Sequence, residues 1–284
     1  EVIVSAGSVN SPQILELSGI GQPELLKRHG VEVCHALPGV GENLRDHFAP
    51  RMKYEIIASG QTYNDKMRGI GTVFQALRYA MTGTGLLGLP ASPLRAYVRS
   101  RDGLASPDIS IGFVPFLVAE GFKLAKESGI TAITHPLRSE SIGSIHIGSP
   151  DSKAPPKINF NFLTAEYDRQ ITLAAMDIVR RIMAAAPMAS MRGAEIAPGS
   201  ALQNNDELLN WGRETAETAY HPIGTCKMGT DDRAVVDEQL RVRGIQGLRV
   251  ADASIMPTLT SGNTNAPCIM IGEKASAMVL ENVA

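Results

Sequence analysis

Two short apolar strands, each followed by a turn and a helix, stand at opposite ends of this chain and constrain its fold more than anything between them. Near the start, Val2-Ile3-Val4-Ser5 leads through Ala6-Gly7-Ser8-Val9-Asn10 into an apolar-periodic Ser11 to Leu17, closed by Ser18-Gly19. Near the end, Leu248-Arg249-Val250-Ala251 runs to Asp252, and Ser261-Gly262-Asn263-Thr264-Asn265-Ala266 feeds an apolar helix from Pro267 to Val279. Each end alone is a fragment of an αβ layer. The simplest topology that uses both is one layer with everything between them inserted into it.

The first stretch continues in the same texture, with a helix expected over Pro23 to His29, a strand over Val31 to Cys34 and a loop over Pro38 to Asn43. Asn10 or Ser11 is the expected cap of the first helix, with Pro12 in its first turn, where a missing N–H costs nothing. From Phe48 the pattern changes. Strands are expected over Arg51 to Ile57, Asp108 to Val114, Thr131 to Pro136 and Ser141 to Ile147, and the alternation in Ser144-Ile145-His146-Ile147 suits an antiparallel sheet with one buried face. Gly83 to Pro93 reads as a mobile lid. Helices are expected over Thr164 to Ala186 and Asp206 to Thr218, and a short strand over Leu240 to Val242. The resulting division is an αβ segment over 1–47, an antiparallel segment with helices over 48–215, and a return to the layer over 216–284.

The 284 residues carry 27 basic and 29 acidic side chains, a formal charge of −2 that recommends neither nucleic acid nor anionic lipid as partner. Cys34, Cys226 and Cys268 form no CxxC pair and are odd in number, so a disulfide framework is not expected and a reducing, cytoplasmic compartment is. No apolar run reaches the ~20 residues that span a bilayer, so the chain reads as soluble as given, with a membrane-peripheral location as the alternative. Residue 1 is Glu, and a strand begins at once; the expectation is that these residues are the C-terminal part of a longer chain.

Several residues have side chains suited to chemistry. His221 lies in the loop Tyr220-His221-Pro222-Ile223-Gly224, and imidazole titrates near neutrality, so it can take a hydroxyl proton; a histidine bonded beneath a loop explains it equally well. Asn263 and Asn265 flank Thr264 before a helix, where amides and N-terminal N–H groups suit an anionic or carbonyl ligand, although Asn and Thr also cap helices for that reason alone. Asp252 follows a strand, where a carboxylate can accept from a ribityl or ribose hydroxyl, or simply close a turn. Cys226, Met228 and His221 fall short of a metal ligand set. Gly19-Ile20-Gly21 and Gly39-Val40-Gly41 fail the strand–turn–helix context of a dinucleotide fingerprint.

Together these residues resemble the C-terminal portion of the glucose-methanol-choline (GMC) oxidoreductases, most closely the choline-dehydrogenase-like branch. The resemblance runs nearly end to end. Gly7-Ser8-Val9-Asn10-Ser11-Pro12-Gln13-Ile14-Leu15-Glu16-Leu17-Ser18-Gly19-Ile20-Gly21 is similar to the family's second signature at every constrained position. Gly39-Val40-Gly41-Glu42-Asn43-Leu44-Arg45-Asp46-His47 looks like its segment near the flavin, with Arg45 where Gln is usual. His-Pro-Ile-Gly-Thr-Cys-Lys-Met-Gly from His221 and Asn-Thr-Asn-Ala-Pro from Asn263 complete the match.

The resemblance implies an incomplete FAD-binding Rossmann-like α/β domain interrupted by an antiparallel-sheet substrate domain with helices, a mixed α/β and α+β fold. It implies FAD as cofactor and oxidation of a CH-OH group to aldehyde or ketone by hydride transfer to flavin N5. His221 takes the place of the proton acceptor and Asn263 that of the group bonding the developing alkoxide. Ala6, Gly7, Asp252 and Ala253 resemble positions near the pyrophosphate and ribityl chain, while Thr264, Asn265 and Pro267 resemble the edge meeting the isoalloxazine ring. The implied partners are a small alcohol and an electron acceptor, oxygen or a quinone-like carrier. The family's N-terminal βαβ unit is expected upstream, so these residues alone are expected to bind FAD poorly. Hydroxynitrile lysis on the same fold, or a non-catalytic remnant, are the alternatives.

Overall fold

The structure, a computed structural model, describes residues 1–90, 92–119 and 123–281. In chain order it begins with β1 (Val2–Val4), α1 (Gly7–Leu17), β2 (Ile20–Gly21), α2 (Pro23–Arg28) and β3 (His35–Ala36). Next come β4 (Phe48–Ala49), β5 (Arg51–Ile56), α3 (Tyr63–Lys66), α4 (Ile70–Thr82), β6 (Leu94–Val98), β7 (Ile109–Val114) and β8 (Gly129–Pro136). The remainder is β9 (Ser144–His146), β10 (Lys157–Asn159), α5 (Glu166–Ala184), β11 (Arg192–Ala197), α6 (Asn205–Thr215), β12 (Glu217–Thr218), β13 (Leu248–Val250) and α7 (Asn265–Glu281). Two compact units result: Glu1–His47, Leu137–Asp168 and Thr218–Ala284 form the first, and Phe48–Pro136 with Arg169–Glu217 form the second.

In the first unit the two ends of the chain meet as the strand pattern requires. β1 pairs in parallel with β13, Val2 opposite Leu248 and Val4 opposite Val250. Val4, Leu15, Val40, Ile223, Val250, Ile255 and Ile271 then share one apolar core. Such burial contributes roughly 1.5–3 kcal/mol per large side chain. The first helix starts four residues earlier than expected, at Gly7, so Asn10, Ser11 and Pro12 lie inside it and cap nothing. Pro12 has no N–H for the carbonyl of Ser8, and the buried hydroxyl of Thr225 donates to that carbonyl instead, at 2.7 Å. The expected strand over Val31 to Cys34 is absent, because the Cys34 and His35 N–H groups are both drawn to the Gly19 carbonyl, and pairing begins only at His35. Likewise Leu240 to Val242 forms isolated bridges at Arg241 and Val242 rather than a strand.

Leu137–Asp168, which the alternation groups with the antiparallel segment, belongs to the first unit. Its bonds explain why. Gly143 and Leu44 exchange backbone hydrogen bonds, Ile145 N–H donates to Gly41, and Gln13 Nε2 donates to Ala154. The side chain of Glu16, in α1, is fully buried and accepts from His146 Nδ1 and from the Ile147 N–H, both at 2.7 Å.

The second unit is built on a five-stranded antiparallel sheet in the order β11-β5-β8-β7-β6. Along β5 the side chains of Met52, Tyr54 and Ile56 are buried while their neighbours are not, the period-two pattern of a half-buried strand. α5 buries Ile171, Ala175, Met176, Val179 and Met183, and Arg180 from the same helix pairs with Glu195 of β11 at 2.8 Å. Asn204 caps α6 by accepting from the Asp206 N–H at 2.8 Å. α3 and α4 occupy a stretch for which the sequence reading gave no helix. The expected lid from Gly83 to Pro93 contains a 3₁₀ turn at Leu86–Gly88, and its Ala91 lies outside the described residues.

Candidate functional site

The loop that carries His221 begins with Tyr220 in the left-handed region, φ 61°, an uncommon conformation for a bulky residue. What holds it is Asp46, 2 % exposed, one of whose oxygens accepts from the His47 N–H at 2.6 Å and from the His221 N–H at 3.0 Å. The other oxygen accepts from the Thr218 hydroxyl. Burial pushes the Asp46 carboxyl upward, and the bonds from Thr218, His47 and His221 pull against it.

The second support is His47 itself, which is fully buried. Its Nδ1 lies 3.0 Å from His221 Nδ1, and its Nε2 lies 3.1 Å from the Leu137 carbonyl oxygen. The two rings meet edge-on, with centroids 5.2 Å apart and planes at 85°. A carbonyl can only accept, so His47 carries its proton on Nε2, and its Nδ1 must then accept from His221 Nδ1–H. Neutral His221 therefore has Nε2 as its unprotonated, basic nitrogen.

Beyond His221 the loop is fixed to the turn at Ala253–Ile255. Gly224, Cys226 and Met228 donate to the carbonyls of Ala253, Ser254 and Ile255 at 3.3, 2.8 and 2.8 Å. Gly224 has φ +93°, and a Cβ there would lie 2.3 Å from the Asn43 carbonyl oxygen, so the loop passes too close for any side chain. Cys226 is completely buried and its thiol is raised by that burial, which makes it a core residue rather than a nucleophile.

The second group forms around Asp252. One carboxylate oxygen accepts from the Gly7 N–H at 2.9 Å and from the Ser11 hydroxyl at 2.5 Å, and the other accepts from the Ser254 N–H at 2.7 Å. Ser11 also accepts from the Ala6 N–H at 3.1 Å. Asp252 thus fastens the start of α1 to β13, joining Ala6, Gly7, Asp252 and Ala253 across more than 240 positions. Ala253 is one of the carbonyl partners of the His221 loop, which links the two groups.

Asn263, Thr264, Asn265 and Pro267 occupy the approach and first turn of α7. Asn263 and Asn265 are exposed, Thr264 is 8 % exposed, and its carbonyl accepts from Cys268 N–H at 3.0 Å. Arg138 Nε donates to Ser261 Oγ at 2.9 Å and anchors the preceding turn. Arg45, at the position where Gln is usual, donates to the Ser139 carbonyl and Asn43 side chain at 3.1 and 3.3 Å.

Asp46, His47 and His221 are also the one group among the described residues with three possible metal-ligating atoms within 4.8 Å of one another. Asp46 accepts three hydrogen bonds, and the two histidine Nδ1 atoms face each other at hydrogen-bond distance, so these atoms already have protein partners. Sequence reasoning gave neither Asp46 nor His47 a role, although both close the Gly39 to His47 segment it singled out.

Comparison with known proteins identifies the family. Two models of the GMC oxidoreductase family match, one over residues 1–49 and one over 139–272. The oxygen-dependent choline dehydrogenase of Klebsiella pneumoniae is 42% identical over 281 residues, covering 96% of this chain and 50% of that protein. Among solved structures, pyridoxine 4-oxidase from Mesorbium loti superposes with a TM-score of 0.81 at 28% identity, over 98% of this chain and 50% of that one. A formate oxidase superposes with a TM-score of 0.91 at 25% identity, over 99% and 54%. The mixed α/β architecture is that of GMC flavoenzymes, and the chain belongs to the GMC oxidoreductase family. It spans about half the length of the curated relatives it matches.

Proposed function

We propose that this chain is the proton-handling half of an FAD-dependent enzyme that oxidises a CH-OH group of a small alcohol to a carbonyl. The observation that carries the reading is the His221–His47–Leu137 relay, which leaves a basic Nε2 on His221. In this reading His221 Nε2 accepts the substrate hydroxyl proton while Asp46 and His47 hold the ring in one tautomer, and the Asn263 amide bonds the alkoxide oxygen. Both groups must reach the same oxygen for the step to proceed.

The residues present fit one side of FAD. The first N–H groups of α7, at exposed Asn265 and Ala266, have no carbonyl one turn earlier in the helix, which suits a flavin ring carbonyl. Above Gly7, with φ +80°, a Cβ would meet nothing within 4 Å, so the turn held by Asp252 has open space for a ribityl or phosphate group to approach. Ala6, Gly7, Asp252 and Ala253 line that turn and would face the ribityl and phosphate groups, while Thr264, Asn265 and Pro267 would meet the ring edge. Gly83-Thr84-Gly85-Leu86-Leu87-Gly88 does spell GxGxxG, but it leaves α4 and enters a 3₁₀ turn, so it lacks the strand–turn–helix setting that cradles a pyrophosphate. Bound FAD supplies the hydride acceptor. We assign the acceptor of its electrons to oxygen or a quinone-like carrier and the compartment to the cytoplasm, with a peripheral relation to the membrane.

The test is a screen of alcohols with the flavin-loaded protein, in the longer polypeptide whose length the relatives indicate, using both oxygen and an artificial acceptor. Acceptor-dependent carbonyl formation from at least one alcohol class supports the reading. Cleavage of a cyanohydrin without flavin reduction refutes it.

A further inference from the structure

α4 is an amphipathic helix exposed around most of its circumference, its apolar stripe included. Ile70, Val73, Phe74, Leu77 and Met81 recur at helical spacing and fall within about 100° of arc, which ordinarily marks the face turned to the core. Here that face points to solvent: the five are 88, 56, 63, 55 and 76 % exposed. Gln75, on the opposite side, is the residue of the helix that is buried. The stripe continues past the helix in Leu87 and Leu89, also exposed. Thirteen residues of helix extend about 20 Å, so the row exceeds the scattered apolar residues of an ordinary surface and calls for an apolar partner.

The charge around it identifies that partner. From Lys66 to Leu94 the sequence holds three basic residues, Lys66, Arg68 and Arg78, and no Asp or Glu, with Asp65 just before them, in a chain that overall has two more acids than bases. Lys66 and Arg68 are exposed just before the helix, and Arg78 is exposed at the edge of its apolar stripe. Phe, Leu, Ile and Met on one side with basic residues at the margin is the composition of a helix that lies in the plane of a bilayer with its apolar face among the acyl chains. Among the described residues no helix is long and apolar enough to cross a membrane, which agrees with attachment along the surface.

We propose that α4, with the turn that follows it, docks this protein on an anionic lipid surface. The proposal rests on the peripheral relation assigned above and gives it a surface, while standing independently of the redox reading, which flotation does not probe. It is tested by flotation of the protein with vesicles of phosphatidylcholine alone and of phosphatidylcholine with about a third phosphatidylglycerol. Binding is expected to the anionic vesicles, weakened at high salt. Replacing Lys66 and Arg68 by Ser lowers it about fivefold per charge removed. Phe74→Glu with Leu77→Glu lowers it more than tenfold, and both side chains are exposed, so the fold persists. Equal flotation with both vesicles, or no loss in the Glu variants, overturns the proposal. So does a dimer that the same Glu variants dissolve without any vesicle binding, which assigns the face to a second copy. Flotation lost when the chain is extended to its relatives' length also overturns it, giving the face to the added residues.

Discussion

Replacing Glu16 tests how the first unit is held together. The carboxylate is fully buried and accepts two hydrogen bonds of 2.7 Å, from His146 Nδ1 and from the Ile147 N–H; His146 Nε2 also faces Glu42 at 3.3 Å. Glu16→Ala leaves the buried Ile147 N–H and the partly buried His146 Nδ1 without an acceptor. Removing one member of a buried pair costs about 3–5 kcal/mol, a large share of the ~5–15 kcal/mol that holds a domain. With a urea slope of ~2–3 kcal/mol/M the unfolding midpoint falls by about 1–2.5 M. Glu16→Gln retains one acceptor and should lose about half as much. The pH dependence gives a second readout. Burial lowers the His146 pKa, but the bonds and charges of Glu16 and Glu42 outweigh it, and the net shift is upward. A raised folded-state value means that His146 contributes its full stability below its unfolded pKa of ~6.5 and loses it as pH rises through the higher folded value. The wild type should therefore lose stability across that window, and Glu16→Gln should lose less. A Glu16→Ala variant that unfolds within about 0.3 M urea of wild type, with the same pH profile, refutes this account of the unit.

Three further outcomes follow from single contacts. Thr225→Val keeps the buried shape but leaves the Ser8 carbonyl without a donor opposite Pro12, and calorimetry should show a loss of about 1–2 kcal/mol. Gly224→Ala places a Cβ 2.3 Å from the Asn43 carbonyl at φ +93°, and chemical denaturation should register about 3 kcal/mol or more, with the His221 loop displaced. His47→Ala removes the acceptor for His221 Nδ1–H, so imidazole ¹⁵N resonances should show His221 moving toward the Nε2–H tautomer, while His47→Gln, whose amide oxygen can accept, should retain Nδ1–H. Finding wild-type His221 already protonated at Nε2 would contradict the relay.

Local pattern was enough wherever an element buries one face by itself. The alternation of Met52, Tyr54 and Ile56 and the stripe from Ile171 to Val179 mark β5 and α5 directly, and the strands at Val2 and Leu248 announce a shared layer. It failed where a distant bond decides. α1 starts at Gly7 because Asp252 receives that N–H from 245 positions away, and Thr225 makes Pro12 tolerable inside the helix. α4 went unread because its apolar stripe lies beside Gly69 and Gly71 and faces outward, so no core demanded it. In the site, His221, Asn263 and Asp252 were legible as candidates, and the resemblance of their surroundings to the GMC family supplied the roles proposed for them. His47 was not, since a histidine after Asp46 has no local mark of function until the fold brings it to a ring 174 positions later.

The most direct test is anaerobic. Flavin-loaded protein is mixed with an alcohol that the screen has identified, and the flavin absorbance is followed for wild type and for His221→Ala across a range of pH. The account predicts rapid bleaching in the wild type, with a rate that rises as His221 loses its proton, and a loss of about a hundredfold or more in the variant. Bleaching at the wild-type rate by His221→Ala would contradict it.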